Sequence, residues 1–290
     1  MAGGGLLVER SPARARVLPG LLGRVRGRPP LLERFVTLNG IELRVVEAGS
    51  GAPVLLLPSL LIRADTYRPL LEALATRFSV VAVELPGSGR SAPIDTTWSV
   101  ERYAAFVRRF VQARELKRPV VIGHSNSGPI AMRVGADAAP VCSAVVLADI
   151  IGVRAASLAR VLFDRVVDGL FELRLDLRAA WHLPYNLARH PRSFLRQVRA
   201  SAGTSAFELA PHVRIPSLVM WARRDRTMPF ADGEALAARI PGARLFVAPG
   251  RHDWLMLKPN VFVRALAGFL DEQRAPDGHG GPFLPPNGRC

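Results

Sequence analysis

Six largely apolar runs recur along this chain: PVLLLP (53–58), which is continuous, then SVVAVEL (79–85), PVVIGH (119–124), SAVVLADI (143–150), SLVMWA (217–222) and ARLFVAP (243–249). A strand with one wet face alternates apolar and polar residues. A strand without that alternation is buried on both faces, which is the habit of parallel sheets. Helical stretches separate most of the runs, roughly at 66–76, 100–115, from Ser127 onward, and at 232–240, with a last one at 261–273. Strands alternating with helices imply right-handed crossovers. The expected fold is therefore α/β, with a mostly parallel central sheet covered by helices on both faces.

The rhythm breaks in three places. Before the first buried run, FVTLNGIELRVVEAG holds two alternating segments around Asn39-Gly40, a hairpin signal because both residues accept positive φ. Between 151 and 212 no strand pattern is found. That segment reads as a helical cap insertion, amphipathic around 158–173 and 194–200. Residues 1–34 are rich in Gly, Pro and Arg and read as a basic N-terminal extension, disordered or partly helical around 18–25. Residues 275–290 read as a disordered Pro/Gly tail. The body then comprises 35–150 and 213–274.

The formal charge is +15, which raises nucleic acid or an anionic membrane surface as partners. Of the 39 basic residues only Lys117 and Lys258 are lysines, and the excess is scattered rather than striped. No nucleic-acid-binding motif is present, so no nucleic-acid partner is expected. The extension carries +5 and is a candidate for weak contact with a membrane surface, but it shows little apolar area. No apolar run approaches the ~20 residues of a spanning helix. The N-terminus lacks the pattern of a secretory signal, so the expected location is cytoplasmic. Two cysteines, Cys142 and Cys290, make no disulfide framework or metal spacing. No metal or cofactor is expected.

Chemistry concentrates in VVIGHSNSGPIAM (120–132), where a buried strand passes directly into a helix. A residue on so sharp a turn has strained backbone, and its neighbours two positions away must be small. Gly123 and Ser127 meet that demand around Ser125. The turn also sets Ser125 at a helix N-terminus, where free N–H groups favour a developing oxyanion. The plain alternative for Ser125 is a helix N-cap. A nucleophilic serine needs a base, and the base needs an orienting acid. Asp225 follows the buried run SLVMWA, and His252 follows the run ARLFVAP. Asp149, at the end of SAVVLADI, is the alternative acid.

The stretch from about Phe35 to Gln273 resembles the α/β-hydrolase family, especially its capped, cofactor-free serine hydrolases. The order Ser125, Asp225, His252 is similar to that of the family's triad. VVAVELPGSGRSAP (80–93) resembles the family's D-x-P-G-x-G-x-S turn, with Glu84 in place of the usual Asp. One departure is Pro58-Ser59 where the family has His-Gly. The resemblance implies an oxyanion hole from the backbone N–H groups of Asn126 and Leu60. It implies strain of ~1–3 kcal/mol if Ser59 adopts an unusual φ.

Leu61, His124, Trp181 and Trp254 are expected to line the substrate pocket. The implied function is hydrolysis of an ester, lactone, amide or C–C bond in a small organic substrate. A cofactor-free haloperoxidase, perhydrolase or acyltransferase would use the same residues. A ligand-binding member with weak catalysis is a third reading, suggested by the Pro58-Ser59 departure.

Overall fold

The computed structural model describes residues 7–9, 16–18, 28–60, 62–153 and 205–274, together with 160, 163, 164, 167, 168, 188, 191–193 and 196. Among these residues, ten strands form one sheet. They are β1 (Leu7–Glu9), β2 (Arg16–Val17), β3 (Leu32–Leu38), β4 (Ile41–Ala48) and β5 (Ala52–Leu57), then β6 (Phe78–Val83), β7 (Val120–His124), β8 (Ala144–Ala148), β9 (Ser217–Ala222) and β10 (Arg244–Ala248). Their order across the sheet is β1-β3-β4-β6-β5-β7-β8-β9-β10, with β2 also on β3. From β6 to β10 every pairing is parallel. The pairings among β1 to β4, and of β4 with β6, are antiparallel. Asn39 (φ 50°) and Gly40 (φ 79°) close the β3–β4 hairpin at the register Leu38↔Ile41.

Alternate residues of the apolar strands feed two separate cores. Leu55, Val121, Val145 and Val219 pack on one side with α2 (Val100–Ala113), α3 (Gly128–Gly135) and α5 (Phe230–Ala237). Val54, Ile122, Val146 and Met220 pack on the other with α1 (Arg68–Leu74), α6 (Trp254–Leu257) and α7 (Pro259–Glu272). Two water-excluding faces are why β5 to β9 lack polar alternation, whereas the edge strand β10 leaves Val247 exposed. Each fully buried Val or Leu contributes ~1.5–3 kcal/mol of transfer free energy. Cys142 is a free, fully buried thiol, and burial pushes its pKa up to about 12.

Two boundaries differ from the expected ones. The N-terminal 34 residues are not simply an appendage, because 7–9 and 16–17 add to the sheet edge at β3, and β3 itself starts at Leu32. Edge strands this short need only backbone N–H and C=O groups. Side-chain composition therefore did not reveal them. Of the expected helix at 18–25, only Leu18 is described, and its N–H donates to Leu31 O at 2.9 Å.

The body also resumes earlier than 213. Short α4 (Ala206–Leu209) packs on α3, and Ala206 and Ala210 are buried in the core. The Ala206 N–H donates to Gly152 O at 2.7 Å, so the insertion leaves and rejoins the body at neighbouring points. The described positions between 160 and 196 are helical. The tail 275–290 lies outside the described residues.

A buried ionic network locks the loops at the carboxyl ends of β5 and β6. Arg44 on β4 is 1% exposed. Its Nη1 donates to Glu84 at 2.7 Å, its Nη2 to Asp65 at 2.6 Å, and its Nε to Glu33. Burial opposes the guanidinium's charge, but Glu84, Asp65 and Glu33 outweigh it and hold its pKa above the usual value. Glu84 also accepts from the Ala64 and Arg90 N–H groups at 2.8 and 2.6 Å. A Cβ on Gly89 would meet that carboxylate at 2.1 Å, so Gly89 makes room for the longer Glu side chain.

Arg44→Met should strand buried Glu84 without its cation, while Glu33 keeps Arg90 at 2.7 Å. Breaking such a pair costs about 3–5 kcal/mol. Urea titration should show that loss, and an unchanged midpoint would show the network to be dispensable.

Candidate active site

β7 ends at His124, and one residue later the chain is already helical. Ser125 makes the turn at φ 54°, in the left-handed region that costs a non-glycine residue ~1–3 kcal/mol. A Cβ on Gly123 would lie 2.7 Å from Ala131 Cβ and 2.8 Å from Gly128 Cα. The helix can therefore approach the strand only because position 123 is glycine, and a Cβ on Gly128 would in turn meet Ile150 Cγ2 at 2.1 Å. The Ser127 hydroxyl donates to Leu57 O at 2.6 Å and accepts from the His124 N–H at 3.1 Å, fixing the turn.

The three residues expected from chain order meet here. His252 Nε2 lies 3.1 Å from Ser125 Oγ, and His252 Nδ1 lies 2.8 Å from Asp225 Oδ2. Asp225 sits in the turn after β9, where its Oδ1 accepts the Met228 N–H at 2.8 Å. His252 sits in the loop after β10. Both are buried, at 5% and 2% exposure. A carboxylate can only accept, so the Nδ1–H faces Asp225 and Nε2 is left to accept the Ser125 proton.

Asp149 stands behind this pair rather than on His252. It is completely buried, with φ 45°. Its oxygens accept from the Ala222 N–H at 2.8 Å and the Trp254 indole N–H at 2.7 Å. It is also in hydrogen-bond contact with Asp225. Burial, reinforced by the charge on Asp225, pushes the Asp149 carboxyl well above the usual carboxylate range.

The oxyanion loop has an unexpected tenant. The Leu60 N–H, expected to face the oxyanion, donates to Asn126 Oδ1 at 2.7 Å, and Ser59 Oγ donates to the same oxygen at 2.9 Å. Asn126 Nδ2 is buried and has no hydrogen-bond partner among the described residues. Ser59 has no left-handed φ, so the expected strain there does not arise. Sequence reasoning counted only the backbone of Asn126. Its polar side chain next to Ser125 was the available signal.

Two expected pocket residues prove to be scaffold. His124 is 1% exposed; its Nε2 lies 3.2 Å from the His252 carbonyl and its Nδ1 2.6 Å from the Tyr67 hydroxyl. The carbonyl accepts the Nε2–H, so Nδ1 accepts from Tyr67, whose oxygen accepts the Ser59 N–H at 3.0 Å. Trp254 is fully buried because its indole N–H has found Asp149, and its rings pack on Phe246 and Phe262. Leu61 and Trp181 lie outside the described residues.

His124, His252 and Asp253 bring potential metal-ligand atoms within 4.8 Å of one another. The four imidazole nitrogens there are already hydrogen-bonded, so an ion would have to break those bonds. A cleft of about 1210 Å³ beside Ile94, Trp98, Arg102 and Arg196 contains none of the three central residues.

The sequence profile of the alpha/beta hydrolase family matches residues 50–265, and the chain belongs to that family. A Mycobacterium phage D29 protein, provisionally named a non-heme haloperoxidase, is 25% identical over 81% of this chain and 93% of its own length. A 2-hydroxy-6-oxo-6-(2'-aminophenyl)hexa-2,4-dienoic acid hydrolase of Metapseudomonas resinovorans is 21% identical over 83% of this chain and 92% of its own. Other curated relatives are 33% identical, but over only 36% of this chain and 30% of their own length. The crystal structure of the enol-lactonase from Burkholderia xenovorans LB400 superposes with a TM-score of 0.71 at 21% identity, covering 82% of this chain and all of that one. Among the described residues no helix is long and apolar enough to cross a membrane.

A carboxyl whose pKa rises on folding contributes stability that is lost as pH climbs through the raised value. Asp149→Asn removes that titration while keeping acceptor and donor. Thermal melts between about pH 5 and pH 9 should show the wild type losing stability relative to the variant as pH rises. A pH-independent gap would overturn the assignment.

Proposed function

We propose that this chain is a serine hydrolase acting on an ester, lactone, amide or C–C bond of a small organic substrate. The observation that carries this reading is the continuous hydrogen-bonded line Ser125 Oγ, His252 Nε2, His252 Nδ1, Asp225 Oδ2. Ser125 Oγ attacks the substrate carbonyl carbon as His252 Nε2 takes its proton. Asp225 holds the imidazole tautomer and stabilises the imidazolium. The imidazolium then protonates the leaving group, leaving an acyl-enzyme. A water deprotonated by His252 releases the acid and restores Ser125. The Asn126 backbone N–H stabilises the oxyanion. The Leu60 N–H joins only when Asn126 Oδ1 gives it up, and one such donor is worth ~10²–10³ in rate.

A second reading rests on the haloperoxidase name of the phage relative. The same acyl-enzyme can be opened by peroxide instead of water, making a peracid, or by an alcohol in acyl transfer. A ligand-binding role with weak catalysis has less support, because the serine and imidazole stand within hydrogen-bond reach.

A fluorophosphonate probe should label the wild type and not Ser125→Ala. Ester hydrolysis by that variant should fall on the order of 10⁶-fold. Unlabelled wild type, or equal labelling of the variant, would sink the hydrolase reading. Peroxide-dependent bromination in carboxylate buffer exceeding ester hydrolysis would move the assignment to the second reading.

A further inference from the structure

We propose that Asp168, a residue of the insertion, is a positioning residue that clamps the Asp225 loop to the His252 loop, so that the triad geometry depends on a seated insertion. The proposal rests on reading Ser125, His252 and Asp225 as the catalytic triad.

Asp168 is fully buried, yet it belongs to neither the sheet nor its flanking helices. Its Oδ2 accepts three hydrogen bonds from the two residues that follow Asp225. The Arg226 N–H donates at 3.0 Å, the Thr227 N–H at 3.0 Å and the Thr227 hydroxyl at 2.9 Å. Its Oδ1 accepts from Arg251 Nη1 at 3.0 Å, and Arg251 is the residue before His252. One carboxylate thus reaches the chain immediately after the acid and immediately before the base. Asp164, four positions earlier, adds a longer contact to Arg226 at 3.9 Å.

The chemistry of the donor set separates this arrangement from a surface ion pair. A general anchor for the insertion could use any exposed arginine, and exposed pairs contribute little to stability. Asp168, itself fully buried, instead accepts from two consecutive backbone N–H groups, a hydroxyl and a partly buried guanidinium. Hydrogen bonds to an ionised acceptor are shorter and stronger than neutral ones. Backbone donors fix the path of the main chain itself, so the clamp sets where Asp225 and His252 stand relative to each other. Besides the His252 Nδ1–Asp225 Oδ2 bond itself, the main chains of the two loops are tied by the Arg223 N–H to Ala248 O at 3.1 Å and the Arg224 N–H to Gly250 O at 3.2 Å, both on residues that precede Asp225 and His252. The clamp adds a tie to the chain that follows Asp225.

Asp168→Ala and Asp168→Asn test this, with Ser193→Ala as control. Ser193 joins the insertion to the body at the Ile94 N–H, 3.1 Å away, apart from both loops. Three readouts apply: kcat and KM with p-nitrophenyl acetate, and the low-field proton resonance of the His252 Nδ1–H. A misplaced catalytic group costs about 10²-fold in rate. Asp168→Ala should therefore lose about 10- to 100-fold in kcat with KM within about twofold, and lose or broaden the low-field proton. Asp168→Asn, which keeps acceptors for the N–H groups but not the charge for Arg251, should fall between it and the wild type. Ser193→Ala should match the wild type.

A folded Asp168→Ala with wild-type kcat and an intact low-field proton overturns the proposal. So does a loss expressed in KM with the proton retained, or an equal loss in Ser193→Ala. If Asp168→Ala does not fold, Asp168→Asn carries the same comparison. A wild type that does not turn over the ester removes the hydrolase reading, while the proton resonance still decides the clamp.

Discussion

At Ser125 the chain leaves a fully buried strand and enters a helix within a single residue, and the backbone accepts a left-handed conformation to do so. Such a conformation persists only where its surroundings over-determine it. Here Gly123 and Gly128 remove the atoms that would collide. The Ser127 hydroxyl ties the turn to β5, and the Ile151 N–H donates to Ser125 O at 3.3 Å from beyond β8. Three adjacent parallel strands thus converge on one backbone unit. The strain is held by the centre of the sheet, where the main chain is least free to relax.

Around that turn, buried polar side chains do what a longer loop could not. The chain of bonds from the Ser59 N–H through Tyr67 and His124 to the His252 carbonyl links the loops after β5, β7 and β10. Asp149 links the ends of β8 and β9 to the indole of Trp254 in α6. The Arg44 network performs the same office one layer outward. In each case a group that would be costly to bury alone is satisfied by partners from different loops. The loops are therefore cross-braced before any substrate arrives.

Much of this was legible in the chain. The apolar runs announced doubly buried strands, Asn39-Gly40 announced its hairpin, and the order Ser125, Asp225, His252 announced which side chains would converge. These are readings of local pattern and of chain order, both of which survive in one dimension. What escaped was partner choice across distance. Trp254 and His124 are polar-tipped rings next to reactive residues, so a pocket wall was a reasonable expectation. Only the fold shows that Asp149 and the His252 carbonyl take their N–H groups. The side chain of Asn126 folding onto Leu60, and the edge strands at 7–9 and 16–17, escaped for the same reason. Each is defined by a partner at least 15 residues away, with no periodicity to betray it.

The hydrogen bond from the Ala206 N–H to Gly152 O pinches the insertion at its base. Whatever lies between those residues spans almost no distance across the body. Lengthening a closed loop raises its closure entropy only slowly, by ~0.6 kcal/mol for each doubling. Evolution can therefore trade one insertion for another of quite different size while the sheet below folds unaltered. The freedom has one fixed term: a replacement must bring a buried acceptor to the amides of Arg226 and Thr227, or leave them bare. The insertion in such a chain is open to rapid drift in length, within a frame that changes slowly.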